Sequence, residues 1–341
     1  MLKTILKYTL RIGLPLLLAA VMLHWMYSGV DWKAVWCVLE GGMNWWWMLL
    51  SMPFGVSAQV FRALRWRVAL KPLGERPGVS MCCNSIFLSY ASSLAIPRIG
   101  EVLRCGVLAR YEGISFSRLV GSVVSERIVD MSMVFLFSML TLATQMPVFL
   151  RFFAETGVDL GGFASSLTAS GYWASAACVL AACVPVMMLL RKLELFSRTK
   201  AKFIKLIEGM ATVAHLQNPW QFLLYSMGIW ISYYMHFYIA FFCFDYTASL
   251  GPVAALVAFV LGCFAVLVPT PNGAGPWHFV VKTALVLYGV QGEDAAVFAL
   301  IVHTLQTLLT VFLGLYALAA LSVSKEAEPH AKQIIPTNDK L

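Results

Sequence analysis

The chain has 341 residues, of which 60% are hydrophobic and only 12% charged, against about 25% charged in a soluble globular domain. With a mean hydropathy of +0.77, this excludes a soluble globular protein and leaves a polytopic membrane protein. The formal net charge of +8 does not point to nucleic acid, because no basic run accompanies a base-reading pattern; positive charge beside apolar spans marks the cytoplasmic side of a membrane instead.

Lys3, Lys7 and Arg11 precede an apolar run from Ile12 to Tyr27 that resembles a signal peptide. No small-residue cleavage site follows, so an uncleaved first span is expected. A bilayer crossing takes about 20 apolar residues, which places full spans near 10–28, 42–62, 118–143, 171–190, 220–244 and 294–322. Two further apolar regions, 79–110 and 252–290, are interrupted by proline and glycine. Each reads as two short helices meeting at membrane depth. The expected fold is all-α and membrane-integral, with about six full transmembrane helices and two re-entrant helical hairpins. Trp45, Trp46 and Trp47 open a span and read as an interfacial belt. The eight cysteines form no CxxC pair and sit mostly in apolar runs, so neither a metal site nor a disulfide framework is expected. No cofactor motif is present either.

Basic residues should collect on one side of the membrane. Arg62, Arg65, Arg67, Lys71 and Arg76 follow the second span, Arg191 to Lys205 the fourth, and Lys325, Lys332 and Lys340 the last. The bias holds only if both broken regions leave on the side they entered, the first cytoplasmic and the second external. The chain then contains an inverted repeat, 42–143 and 220–322, within a transmembrane domain 1–323. Its break points correspond: Ile96-Pro97-Arg98-Ile99-Gly100 against Pro269 to Gly275. Paired interrupted segments in inverted halves point to a midplane binding site; the other reading, two kinked helices, does not account for the charge bias. Residues 191–218 form a basic amphipathic connector that either lies on the cytoplasmic leaflet or is simply solvated. Residues 324–341 read as a disordered cytoplasmic tail.

The chemistry concentrates in the first break. Proline pre-sets a first helical turn, so Pro97 is expected to start a half-helix carrying Arg98, Glu101 and Arg104 at three-residue spacing on one face. A buried helix N-terminus beside Arg98 would receive a phosphate or carboxylate, with Glu101 holding the arginines. The bland reading is an ion-pair network that only neutralises itself. On the next span, Glu126 and Asp130 share a helix edge with Arg127 adjoining; they either pair with Arg98 or Arg104 or exchange protons. In the second half, His278 follows the glycine-rich break and His303 lies on the following span, either as core histidines or as cavity residues. His24 and His236 read as structural.

The stretch NSIFLSYASSLAIPRIGEVLR, then RYEGIS from Arg110, then VVSERIVDM, resembles the family of lysylphosphatidylglycerol synthase transmembrane regions. The resemblance covers about residues 10–322. It implies a lipid-translocating fold with two re-entrant hairpins, and roles for Arg98, Gly100, Glu101, Arg104, Glu126, Arg127 and Asp130. Asn84 and Pro97 in the first motif, and Pro271, Gly273 and Gly275 in the second, would line the cavity. Where family members carry an acidic residue after the glycine-rich break, this chain has Pro276-Trp277-His278. The soluble aminoacyl-transferase domain of two-domain synthases does not follow the last span, so synthesis of aminoacylated lipid is not expected.

These readings converge on a lipid transporter of the bacterial inner membrane, with both termini cytoplasmic, for an anionic phospholipid or polyprenyl-phosphate headgroup. A membrane enzyme acting on a lipid phosphate, with Glu126 or His278 as base, and a lipid-binding scaffold for a glycolipid pathway are the alternatives. Membrane lipids are the expected partners; a homo-oligomer and a separately encoded lipid-modifying enzyme stay open.

Overall fold

The computed structural model describes residues 20, 21, 23, 24, 27, 32–155, 216–268 and 270–334, with positions 34, 147–155 and 324–334 by backbone alone. The expected span 171–190, most of 10–28, the connector up to residue 215, Pro269 and the tail beyond residue 334 lie outside the described residues. Every regular element among the described residues is helical.

A short helix α1, Trp32–Cys37, continues as a π-helical turn, Val38–Gly42. Asn44 then caps α2, Trp45–Leu70, by accepting a hydrogen bond from Trp46 N at 3.1 Å. A polar oxygen on an otherwise orphaned N–H fixes the start of this helix. The helix runs eight residues beyond the expected end of the span at 62, carrying Arg62 and Arg65 inside it. The two arginines therefore do not belong to a cytoplasmic loop.

Each broken region folds as two short helices. The first gives α3, Val79–Ala95, and α4, Ile99–Tyr111; α5, Phe116–Glu155, follows. In the second half α6, Pro219–Ile239, corresponds to α2. A four-residue turn of helix, α7, Asp245–Ala248, leads to α8, Gly251–Ala265, and α9, Pro276–Leu287. The chain closes with α10, Gly292–Ile334, which enters the stretch expected to be disordered because Ala, Glu and Lys there are good helix formers. At 1.5 Å per residue the four short helices are about 18–26 Å long, less than the roughly 30 Å of a hydrocarbon core. Among the described residues, two segments, Phe116–Met146 and Gly292–Val323, are long and apolar enough to cross a membrane.

The order long, short, short, long thus occurs twice, and the backbone repeats with it. Left-handed glycines stand before or at the start of the first short helix of each half, Gly74 and Gly251, and follow the second, Gly113 and Gly289. Each break also contains a left-handed residue that is not glycine, Arg98 at φ 64° and Asn272 at φ 51°. Such residues are uncommon, and it takes tight surroundings to hold them. The halves interlock: α2 lies along α6, α10 along α3, and α5 against α8 and α9. A Cβ at Gly314 would overlap that of Ala91, so α10 and α3 are in backbone-level contact.

The apolar interior divides between the halves. In the first, Ala63, Trp66, Cys82, Ile86, Cys105, Leu108 and Leu119 pack together. The larger cluster belongs mainly to the second, around Phe237, Phe241, Phe244 and Phe298, which meet edge to face.

Candidate functional site

The turn between α3 and α4 differs from the expected one. Pro97 and Arg98 form the turn itself and the helix begins at Ile99, because the left-handed backbone of Arg98 reverses the chain and cannot continue a right-handed helix. Gly100 lets α4 fold flat onto α3, since a Cβ there would overlap the Ser89 carbonyl oxygen. Arg98 therefore does not share a helical face with Glu101 and Arg104. Its guanidinium is exposed and donates from Nη2 to the Leu267 carbonyl at 3.0 Å, joining the tip of the first hairpin to the tip of the second.

Beneath this tip lies a network of ion pairs built by three helices. On α2, Arg62 and Arg65 are one turn apart and face Glu126 and Asp130 of α5, also one turn apart. Arg62 Nη1 is 2.7 Å from Asp130 Oδ2, Arg65 Nη1 is 2.7 Å from Asp130 Oδ1, and Arg65 Nε is 3.2 Å from Glu126 Oε1. From α4, Arg104 Nη2 approaches Glu126 Oε2 at 3.0 Å without hydrogen-bond alignment. The side chains of Arg65 and Glu126 are both 0% exposed. At the outer edge, Arg127 Nε is 2.9 Å from Glu101 Oε1 and Arg127 Nη1 is 3.4 Å from Asp130 Oδ2.

Aromatic faces complete the housing. Arg104 lies 4.7 Å over the Trp66 ring, and Trp66 donates from Nε1 to Ser122 Oγ at 3.0 Å. Arg62 stands 5.8 Å from the ring of Tyr90 and 5.9 Å from that of Tyr233, whose hydroxyls are bonded at 3.0 Å. A desolvated cation gains from such faces, which makes deep burial of three guanidiniums tolerable. Even so, Arg62 Nε, Arg65 Nη2, and Arg104 Nε and Nη1 have no hydrogen-bond partner. Among the described residues, four guanidiniums, Arg62, Arg65, Arg104 and Arg127, meet three carboxylates, Glu101, Glu126 and Asp130, which leaves one positive charge in excess.

Most of the expected site residues of the first half thus come together, but with different roles. Glu101 holds Arg127, not Arg98 or Arg104. Arg104, expected to meet a headgroup, is sealed inside the network. Asn84 is buried on α3 and donates to Ser80 Oγ of its own helix at 3.5 Å. Read from the sequence alone, Arg62 and Arg65 stand with the positive residues that follow a span and do not join the site. The signal for them was the unmet need of Glu126 and Asp130 for buried cations, answered by an Arg pair at helical spacing.

The second break is held differently. Pro271 and Gly273 bound a 3-10 turn, and Gly275 N donates to His278 Nδ1 at 3.3 Å. His303 Nε2 is 3.1 Å from the Asn272 carbonyl, and Asn272 Nδ2 donates to Thr307 Oγ1 at 2.9 Å. The rings of His278 and His303 are 4.3 Å apart, with Trp277 5.1 Å from His303 and Tyr27 5.8 Å from His278. His236 Nδ1 donates to the Ser51 carbonyl, 2.8 Å away, where α2 and α6 cross at Gly55. Among the described residues, no group of three His, Cys, Asp or Glu is placed to hold a metal ion.

Helices of membrane length, two broken helical pairs that touch at their tips, and buried guanidiniums shared with carboxylates define an integral-membrane protein with a polar interior. The family model of the lysylphosphatidylglycerol synthase TM region matches residues 12–314. The chain belongs to this family, and its role is tied to membrane lipids. Neither a curated protein nor a solved structure matches it.

Proposed function

We propose that the protein translocates an anionic lipid across the bacterial inner membrane, its headgroup passing between two re-entrant hairpins while the acyl chains stay in the bilayer. On this reading the α3–α4 pair enters from the cytoplasmic side and the α8–α9 pair from the external side, about six helices cross fully, and both termini are cytoplasmic. The observation that carries it is Arg98, an exposed guanidinium where the two tips meet. An unneutralised cation at membrane depth is costly and calls for a partner; a phosphate supplies one.

The roles follow from accessibility. Arg98 and Arg127 would contact the phosphate, either of a phospholipid or of a polyprenyl phosphate. Arg62, Arg65 and Arg104 would supply the positive field from inside, and Glu101, Glu126 and Asp130 would hold them in place. Asn84, Gly100 and the second break, with His278 and His303, would shape the passage. Transport is favoured over chemistry on the lipid, because Glu126 is locked between two arginines and His278 is buried and bonded to Gly275 N, so neither is poised as a general base.

The test is loss of fluorescence on dithionite addition to proteoliposomes containing labelled lipid. Purified protein is expected to expose labelled inner-leaflet anionic lipid faster than empty vesicles do. Equal rates for phospholipid and polyprenyl-phosphate probes alike, in both preparations, would remove the transport reading.

A further inference from the structure

The outer face of α5 carries a feature that headgroup binding alone does not explain. Val124, Ile128, Met131 and Phe135 recur at helical spacing and are all exposed. Together with Arg127 and Ser132 they line an open groove of about 550 Å³. Arg127 stands near one end, with Val124 a turn beyond it, and Ile128, Met131 and Phe135 lead away on its other side for about 12 Å along the helix. A second apolar groove, about 380 Å³ between α3 and α10 at Ala91, Ala95, Val311 and Leu315, has no charged residue in its lining.

We infer that the α5 groove docks one acyl chain of a phospholipid whose phosphodiester takes the place of Glu101 on Arg127. The inference rests on the lipid-transport reading and deepens it, naming where the lipid leaves the bilayer and which contact it breaks. Three observations support it. First, the network behind Arg127 has one positive charge in excess, with unpartnered guanidinium nitrogens on Arg62, Arg65 and Arg104. That excess draws an anion to the network's edge, and a singly charged phosphodiester in the place of Glu101 keeps Arg127 paired without adding negative charge. Second, Arg127 is the network cation that lines the groove, with its side chain 35% exposed. Third, Glu101 is the exchangeable counterion: its side chain is 43% exposed, whereas Glu126 is fully enclosed and Asp130 is held by Arg62 and Arg65. A half-exposed ion pair of this kind contributes little by itself, so a bidentate phosphate contact can replace it. The occupant is an amphiphile with an anionic head because the groove is cationic at one end and apolar along the rest.

The experiment reconstitutes the full chain into vesicles containing phosphatidylglycerol with a diazirine in one acyl chain, irradiates, and maps labelled peptides by mass spectrometry. Label is expected on residues 124–135 about fivefold over the α3–α10 groove, the preference one half-exposed ion pair provides. Diacylglycerol carrying the same diazirine should show no such preference. Arg127→Gln should abolish the preference, and Ile128→Trp should reduce it by filling the groove at a lipid-facing position that leaves every ion pair intact. Glu101→Gln should raise it, since the competing carboxylate charge is gone; a purely structural Glu101 would lower it or leave it unchanged. Equal labelling of both grooves, or equal labelling by phosphatidylglycerol and diacylglycerol, overturns the inference. The dithionite assay on the same vesicles separates the two claims: transport with label elsewhere sinks the groove alone, and groove labelling without transport sinks the transport reading alone.

Discussion

The two halves share an order of helices and differ in what they bury at corresponding places. Between α2, α4 and α5 the first half encloses arginines and carboxylates; around α6, α8, α9 and α10 the second encloses phenylalanines and two neutral-bonded histidines. The same architecture therefore does not dictate the same interior. Buried ion pairs are no stronger than the apolar packing that could replace them, and the second half shows that this helix arrangement can be filled without charge. The charges of the first half are better explained by what they do than by what they stabilise.

The sharpest way to break this contrast is Glu126→Ala, which strands Arg104 inside the first half and leaves Arg65 with Asp130 alone. Loss of one member of a buried pair costs about 3–5 kcal/mol, so detergent-titrated unfolding should show the protein largely destabilised. A loss below about 1 kcal/mol would mean that water or another carboxylate replaces Glu126. Next comes Gly100→Ala, whose Cβ overlaps Ser89 O and must part α3 from α4, at an overpacking cost of about 1–3 kcal/mol. Tyr90 and Tyr233 would report the shift as a change in the near-ultraviolet spectrum. His278→Phe tests the apolar half: it gives up one hydrogen bond from Gly275 N, so a cost near 1 kcal/mol is expected in the same unfolding assay. A cost matching that of Glu126→Ala would show that the histidine pair is as indispensable as the ion network. The smallest stability effect should come from Arg127→Gln, within about 1 kcal/mol because the pair with Glu101 is half-exposed. Lipid translocation should nevertheless fall severalfold, which separates the role of the network edge from that of its interior.

Hydropathy made the helical class and the two broken regions legible, because hydrocarbon admits helices and tolerates broken backbone only where protein covers it. Family membership was equally legible, from the PRIGE and SERIVD stretches. The site was legible in part. Glu126, Arg127 and Asp130 announced themselves as charges at helical spacing in an apolar span. Arg62 and Arg65 did not, since one-dimensional reading assigns a basic residue near a span end to the membrane surface, and only α5 packing against α2 shows that carboxylates await it. The start of α4 escapes such reading for a different reason: proline at 97 fits a first helical turn, but the left-handed Arg98 ends that possibility, and arginine, unlike glycine or asparagine, does not advertise such a backbone.

The interlocking of the halves has a consequence for the timing of synthesis. The first hairpin emerges early, yet the helix that covers Ala91, and whose Leu321 carbonyl accepts the Tyr111 hydroxyl, is α10, which follows every other described helix. The charge-rich half therefore waits, partly uncovered, until α10 has left the ribosome, and a nascent chain halted before α10 would present an unfinished membrane surface to quality control.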